Sequence, residues 1–262
     1  MKQHVAGVEK ASQFNMRVTH LVVNGCSFSY CQNLENLTEE GWPKLLANKL
    51  NIPLVNIAIG GSSNDSICRS TVEYHYLDTQ SNITNPLYII GFTSSLRREE
   101  YLSEVGTKGI YQLQLANPYH QVAKALSKQL DIEGILHMDK RKVLNWLFLI
   151  NFFKSNNIPY LSLDFIPFRD VDGLLIKYKI LYDLIINDEY ACKHVHDIVD
   201  QLDKSLFLPC GHHSKKAQHI IADYLYDEIQ NKHSHIQIQP QSKYLTAQEY
   251  YKDDPIIKTE WP

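Results

Sequence analysis

The sequence has no apolar run near the ~18 residues needed to span a bilayer, and no surplus of positive charge. It also lacks any cysteine spacing that signals a disulfide framework or a metal cluster. Each absence removes a class of function. With a formal net charge of -3 there is no basic field to hold nucleic acid. Met1 to Asn15 is polar and mixed, without the apolar centre of a secretory signal. Five cysteines, an odd number at irregular spacing with no Cys-x-x-Cys pair, argue against structural disulfides and against a zinc knuckle. There is no internal repeat. The expectation is a soluble, reduced, cytoplasmic protein.

What is present is a core. The 262 residues are 44% hydrophobic, enough for one large domain. Strand-like and helix-like segments alternate. Thr19–Asn24 reads as a strand covered on both faces. Gly41-Trp42-Pro43 opens a helix with Leu45, Leu46 and Leu50 at helical spacing, the proline in its first turn. Leu54–Ala58 reads as a second strand and Ser66–Leu77 as a helix, with Asn64 or Asp65 as its cap. Leu87–Gly91 is a third strand. Residues 95–139 lose their period and read as an insertion over the sheet edge, with helix near His120–Gln129. Lys140–Asn156 is helix, Pro159–Leu163 a fourth strand ending at Asp164, and Leu174–Ile186 helix. A short helix follows at Asp197–Lys204, and Ser214–Gln230 is the last long one. Alternation of this kind implies a parallel sheet, here of about five strands. The domain is expected to cover residues 1–233. Residues 234–262 would form an extended tail that docks on another subunit or assembly, or folds back.

Three loops carry the chemistry. Gly25-Cys26-Ser27, Gly60-Gly61-Ser62-Ser63-Asn64 and Gly91-Phe92-Thr93-Ser94 each follow a strand. In a parallel sheet they emerge on one edge, where open α/β proteins bind ligands. Acyl transfer needs a nucleophile, a base, and donors aimed at a developing oxyanion. Ser27 suits the first role. The N–H of Gly61 suits the last, since glycine allows close approach of the main chain, and Thr93 or Ser94 adds a hydroxyl. A candidate base stands in Leu208-Pro209-Cys210-Gly211-His212-His213, just before the last helix. Turning the chain at strand ends is the plainer role for these glycines.

The three loops and the final histidine resemble the blocks of the SGNH (GDSL-like) hydrolase family, in the family's order, over about Thr19 to Ile229. Gly25-Cys26-Ser27 stands at the Gly-Asp-Ser block, Asn56 to Gly61 at the second block, and His212-His213-Ser214 through Ala222 at the last. The resemblance implies a flavodoxin-like three-layer α/β/α fold. It also implies ester hydrolysis through an acyl-enzyme on Ser27, with His212 as base and the Ser27 and Gly61 N–H groups in the oxyanion hole. No cofactor or metal is required. A carbohydrate O-acetyl ester is the first substrate expectation, because nothing reads as an apolar lid. Transfer to another hydroxyl acceptor would use the same residues.

The departures from the family pattern matter as much. Its third block ends in Asn, here Thr93, and loss of one oxyanion donor costs ~3 kcal/mol of transition-state stabilisation. Asn64 is a candidate replacement. The family's Asp, three residues before the histidine, is Pro209 here, which leaves Asp164 or a main-chain carbonyl to orient His212 in a Ser–His dyad. A weakly active or non-catalytic binding protein on the same fold is the competing reading. Cys26, Cys31, Cys210, His212 and His213 would be the ligands of a zinc site, and Cys26 an alternative nucleophile. Buried cysteine as a small apolar residue is the simpler account. Arg97, Arg98, Glu99 and Glu100 either steer an anionic or polyol substrate or form a solvated charged turn.

Overall fold

A computed structural model describes residues 17–80, 85–102, 109–114, 132–166, 179–200, 202–232, 234, 236–239 and 245–252. The central sheet is built from β2 (His20–Gly25), β3 (Leu54–Asn56), β4 (Pro86–Phe92), β7 (Tyr160–Asp164) and β8 (Ala191–His194). Its order is β3-β2-β4-β7-β8, and every pair is parallel. Four strands are regular. β8 is short and joins β7 through two register pairs with an irregularity between them. In order of appearance the strands run 2-1-3-4-5, the flavodoxin-like arrangement, whose direction of winding reverses between the first and third strands. That reversal lies between β2 and β4, whose carboxyl ends carry Ser27 and Thr93.

Helices close both faces because the strands alternate two apolar sets. Leu21 and Val23 of β2, Leu87 and Ile89 of β4, and Leu161 and Leu163 of β7 form one core with helices α3 (Trp42–Leu50) and α8 (Lys215–Lys232). Val22, Tyr88, Ile90, Phe92 and Tyr160 face the other way, against α4 (Asn64–Gln80) and α5 (Ile132–Ser155). On that side Trp146 stacks on Phe92 at 4.5 Å and donates to Ser162 Oγ at 3.0 Å. The three-layer α/β/α expectation is thus met.

Two buried polar side chains fix the strand ends. Asn24 sends Nδ2 to Ser70 Oγ and Thr71 Oγ1 of α4, both at 2.8 Å, and accepts the Gly25 N–H at 2.8 Å. Gln218 of α8 accepts the Trp42 N–H at 3.0 Å, tying the start of α3 to α8. A buried hydrogen bond contributes about 1 kcal/mol, but an orphaned partner costs more. Such contacts specify geometry more than they stabilise it.

Several local expectations need correction. The α4 cap is Ser63, whose Oγ accepts the Ser66 N–H at 3.2 Å, and not Asn64 or Asp65. The second strand stops at Asn56 because the Asn56 side chain turns back to accept the Ala58 N–H at 3.1 Å. Part of the expected 95–139 insertion is an antiparallel hairpin, β5 (Arg97–Leu102) with β6 (Gly109–Gln114), and α5 already begins at Ile132. Helix near His120–Gln129 falls outside the described residues. In place of one helix at Asp197–Lys204 there are two single turns, α7 (Val195–Ile198) and a 3-10 turn at Lys204–Leu206 capped by Asp203. Of the expected helix at Leu174–Ile186, only α6 (Lys179–Ile186) is described.

The tail does not leave the domain at residue 233. β9 (Gln237–Ile238) pairs in parallel with β1 (Arg17–Val18), and α9 (Ala247–Tyr251) packs on this chain's own α4. Asp78 accepts the Leu245 N–H at 2.8 Å, Tyr74 donates to Leu245 O at 2.6 Å, and the Tyr74 and Tyr250 rings meet edge-on. Of the two courses expected for the tail, its described part takes the second and folds back on this domain. Residues beyond 252 lie outside the described set. Among the described residues no helix is long and apolar enough to cross a membrane.

Candidate active site

β2 runs into Gly25, which lies level with Gly91 of β4. A side chain at either glycine would collide with Ser29, so both positions are held to glycine by close approach. Cys26 is extended and fully buried, and Ser27 then opens α1 (Ser27–Tyr30), a single helical turn that ends at Cys31 with φ 62°. As the first residue of a helical turn, Ser27 has an N–H with no acceptor behind it. The residue is 3% exposed.

The second loop is strapped to the first. Ile59 N–H donates to Gly25 O at 3.3 Å, and Asn56 Nδ2 donates to Ser29 O at 3.0 Å. Ser62 N–H closes a turn on Ile59 O at 3.2 Å, with Gly61 at φ 83°. A positive φ at that place in a tight turn is what glycine supplies at no steric cost. Among the described contacts the Gly61 N–H is unspent.

Thr93 is fully buried, and its main chain is already claimed. Its N–H donates to Asn64 Oδ1 at 2.9 Å, and its carbonyl accepts from Asn64 Nδ2 at 3.1 Å. Asn64 Nδ2 also reaches Ser94 O at 3.4 Å. Asn64 therefore braces the third loop and has no donor left for a substrate, which corrects its expected role. The Thr93 hydroxyl accepts from Arg97 Nη1 at 3.1 Å. Arg97 is thus half-buried and bonded to the third loop, and is not in a solvated turn. Glu99 is the residue of that charged run that forms a surface pair, with Arg69 at 2.7 Å.

His212 and His213 are neighbours with opposite fates. His213 is 2% exposed, packs against Phe28, Phe165 and Phe207, and its Nδ1 has no partner. Burial, then the charges of His196 and His212, pushes it down to about 4. It is a neutral core ring. His212 is half-buried, with its centroid 5.1 Å from Phe28, the residue after Ser27. Burial is the main cause, and the Arg97 charge the second, that hold it below the ordinary histidine value. A neutral imidazole at pH 7 is what a general base requires.

The Ser27 hydroxyl and His212 are not hydrogen-bonded to each other in this structure. His212 Nδ1 instead faces Cys210 Sγ at 3.4 Å, and Asn33 Nδ2 donates to that sulfur at 3.2 Å. The tautomer that donates Nδ1–H to the sulfur is the one that leaves the lone pair on Nε2, where a serine would need it. Asp164 does not orient His212. It accepts from Lys142 Nζ at 2.7 Å and from Ile166 N–H at 3.2 Å, with His194 Nδ1 3.2 Å from its second oxygen. Sequence reasoning missed Cys210 in this role, although its position two residues before His212 was visible.

The zinc alternative fails on direction. Cys31 Sγ points to Gln218 Oε1 at 3.5 Å, and burial pushes its thiol up to about 12. Cys26 is enclosed. Among the described residues no group of three or more His, Cys, Asp or Glu is arranged to hold a metal ion.

No family model matches the chain, and no curated protein is similar to it in sequence. Solved structures match it in fold. The psychrotrophic esterase EstA from Pseudoalteromonas sp. is 19% identical, with a TM-score of 0.50 over 82% of this chain and 99% of that one. The lipase Lip_vut3 from a goat rumen metagenome is 12% identical, with a TM-score of 0.53 over 80% of this chain and 97% of that one. The chain has the SGNH-hydrolase fold. A third structure with this likeness is the acetyl xylan esterase Est2A from Butyrivibrio proteoclasticus, 12% identical with a TM-score of 0.52, over 84% of this chain and 66% of that one. At these identities the likeness concerns the fold.

Proposed function

We propose that the protein is a serine ester hydrolase that works through an acyl-enzyme on Ser27. The observation that carries this reading is three donors without an acceptor, on loops that leave neighbouring strands where the sheet reverses. These are the N–H of Ser27, the N–H of Gly61 and the hydroxyl of Thr93, with a neutral His212 against Phe28, the residue after Ser27. Such groups, fixed before substrate arrives, stabilise charge that develops on a carbonyl oxygen.

In this mechanism His212 Nε2 takes the Ser27 hydroxyl proton as Oγ bonds to the ester carbon. The carbonyl electrons move onto the oxygen, which the three donors hold. Collapse breaks the bond to the alcohol oxygen, and His212 returns the proton to that leaving group. Water then repeats the sequence, losing a proton to His212 and releasing the acid from Ser27. Cys210 holds the His212 tautomer in the place that a carboxylate commonly takes, as a weaker partner with no full charge.

The substrate class we infer is a small O-acyl ester, with an O-acetylated carbohydrate first. The fold likeness to an acetyl xylan esterase supports that choice. Transfer to a sugar hydroxyl differs only in replacing water as the acceptor, and product analysis with an added polyol separates the two. The reading is tested with p-nitrophenyl acetate: the purified protein should release p-nitrophenol and Ser27→Ala should not. Release that survives Ser27→Ala but is lost in Cys26→Ala moves the nucleophile to Cys26. A folded protein with no turnover favours a binding role.

A further inference from the structure

Arg97 is the first residue of β5, directly after a turn in which its own N–H donates to Ser94 O at 3.2 Å. The guanidinium folds back over that turn to Thr93, four residues earlier in the chain. Among the described residues it has no carboxylate partner, whereas Arg69 pairs with Glu73 and Glu99 and Arg141 pairs with Asp65. Its Nε is buried without a hydrogen-bond partner. A half-buried cation held this way has a cost, and its one described hydrogen bond is the 3.1 Å donation from Nη1 to Thr93 Oγ1.

That bond has a directional consequence. A hydroxyl has one proton and two acceptor positions, and an arginine can only donate. With Arg97 on one lone pair, the Thr93 proton cannot face Arg97 and must point elsewhere. Asn64 already satisfies the Thr93 N–H and C=O, so the hydroxyl proton is the group on Thr93 left to be donated. Donation from a charged group also polarises the O–H and makes it a better donor. A free threonine rotor would lose much of its value as an oxyanion donor. One locked by Arg97 would not.

Building on the esterase reading of Ser27 and His212, we propose that Arg97 is the positioning residue of the oxyanion site, fixing and polarising the Thr93 hydroxyl so that it performs the work of the amide found there in the family. Arg97 acts through Thr93 and not by holding an anionic substrate. Its charge also lies close enough to His212 to help keep that ring neutral.

The test is a double-mutant cycle on the full chain with the neutral substrate p-nitrophenyl acetate, using Thr93→Val, Arg97→Gln, Arg97→Lys and the Thr93→Val/Arg97→Gln pair. Thr93→Val should lower kcat by about 10²-fold with little change in KM, the loss typical of one oxyanion donor. Arg97→Gln should lose most of the same factor, Arg97→Lys should recover part of it, and the pair should be no worse than Thr93→Val alone. The acid limb of the kcat/KM profile should move to higher pH in Arg97→Gln and stay in Arg97→Lys. Arg97→Lys keeps the cation and serves as the informative variant if Arg97→Gln does not fold. Losses that multiply in the pair overturn the proposal. So does a defect confined to KM for anionic esters, or an Arg97→Gln enzyme with normal kcat. Wild-type protein that neither turns over nor reacts at Ser27 overturns the esterase reading itself, and Arg97 then has no oxyanion site to serve.

Discussion

Two polar clusters sit at the carboxyl edge of the same sheet, one strand apart, and they are built on opposite principles. At the end of β7, Lys142, Asp164 and His194 form a closed ionic group. Lys142 and Asp164 are 1% and 0% exposed, and the Lys142 ammonium also donates to Ile166 O at 2.7 Å. At the ends of β2 and β4 the frame is equally well fixed, by Asn24, Asn56 and Asn64, but the groups it holds keep donors in reserve. The first cluster consumes its own charges. The second leaves the Ser27 N–H, the Gly61 N–H and the Thr93 hydroxyl proton without a described acceptor, on loops at neighbouring strand ends. Burial and polarity alone would rank the Lys142–Asp164 pair first as a functional site. What separates the two is that the first pairs opposite charges with each other, whereas the second holds N–H and O–H donors without an acceptor.

The comparison can be broken most forcefully at Ser27. Ser27→Ala should reduce ester hydrolysis to the buffer rate while leaving the thermal unfolding midpoint near that of the wild type. The Lys142–Asp164 pair should do the reverse. Lys142→Met leaves a buried carboxylate without its partner and should destabilise by about 3–5 kcal/mol, read as a lower urea midpoint. Turnover per folded molecule should stay close to normal. If Lys142→Met instead abolishes turnover in folded protein, the two clusters are one site and the distinction fails.

A smaller effect is expected from acid. His213 is neutral in the fold and held down to about 4, while in the unfolded chain it protonates near 6.5. The unfolded state therefore binds the extra proton first, so stability is present above about pH 6.5 and is lost as pH falls from there toward about 4. The loss from this one group is up to ~3 kcal/mol. His213→Leu should flatten that part of an unfolding-versus-pH curve. Smallest of all, Cys210→Ala should lower kcat by about fivefold, the cost of one weak orienting contact at ~1 kcal/mol. Cys210→Asp should recover it. An unchanged kcat in Cys210→Ala means that another group holds His212.

The sheet and its site loops were legible in the sequence because they rest on local signals. Apolar runs ending in glycine gave the order of β2, β3 and β4. The same runs placed Ser27, Gly61 and Thr93 on one edge. The polar partners were harder to assign because their contacts are not local. Asn64 looks like a donor in sequence, and only the path of α4 turns it onto the Thr93 main chain. Asp164 stands at a strand end, as a catalytic acid would, yet Lys142 from the preceding helix neutralises it. Arg97 sits in a charged Arg-Arg-Glu-Glu run whose composition suggests a solvated turn. Arg97 and Glu99 are two apart on β5, yet Glu99 reaches Arg69 of α4 while Arg97 folds back over the preceding turn to Thr93. β8 went unplaced because Ala191–His194 has no apolar pattern, being a short edge strand. The tail showed no period because its few docked residues are held by individual contacts to α4.

The central claim is that the unspent donors around Ser27 belong to a working nucleophile. Reaction of the folded protein with a fluorophosphonate probe, read by peptide mass spectrometry, addresses it directly. The account predicts a single adduct on Ser27, lost in Ser27→Ala and slowed in His212→Ala. An adduct on Cys26, or no adduct on a protein with its fold intact, would contradict it.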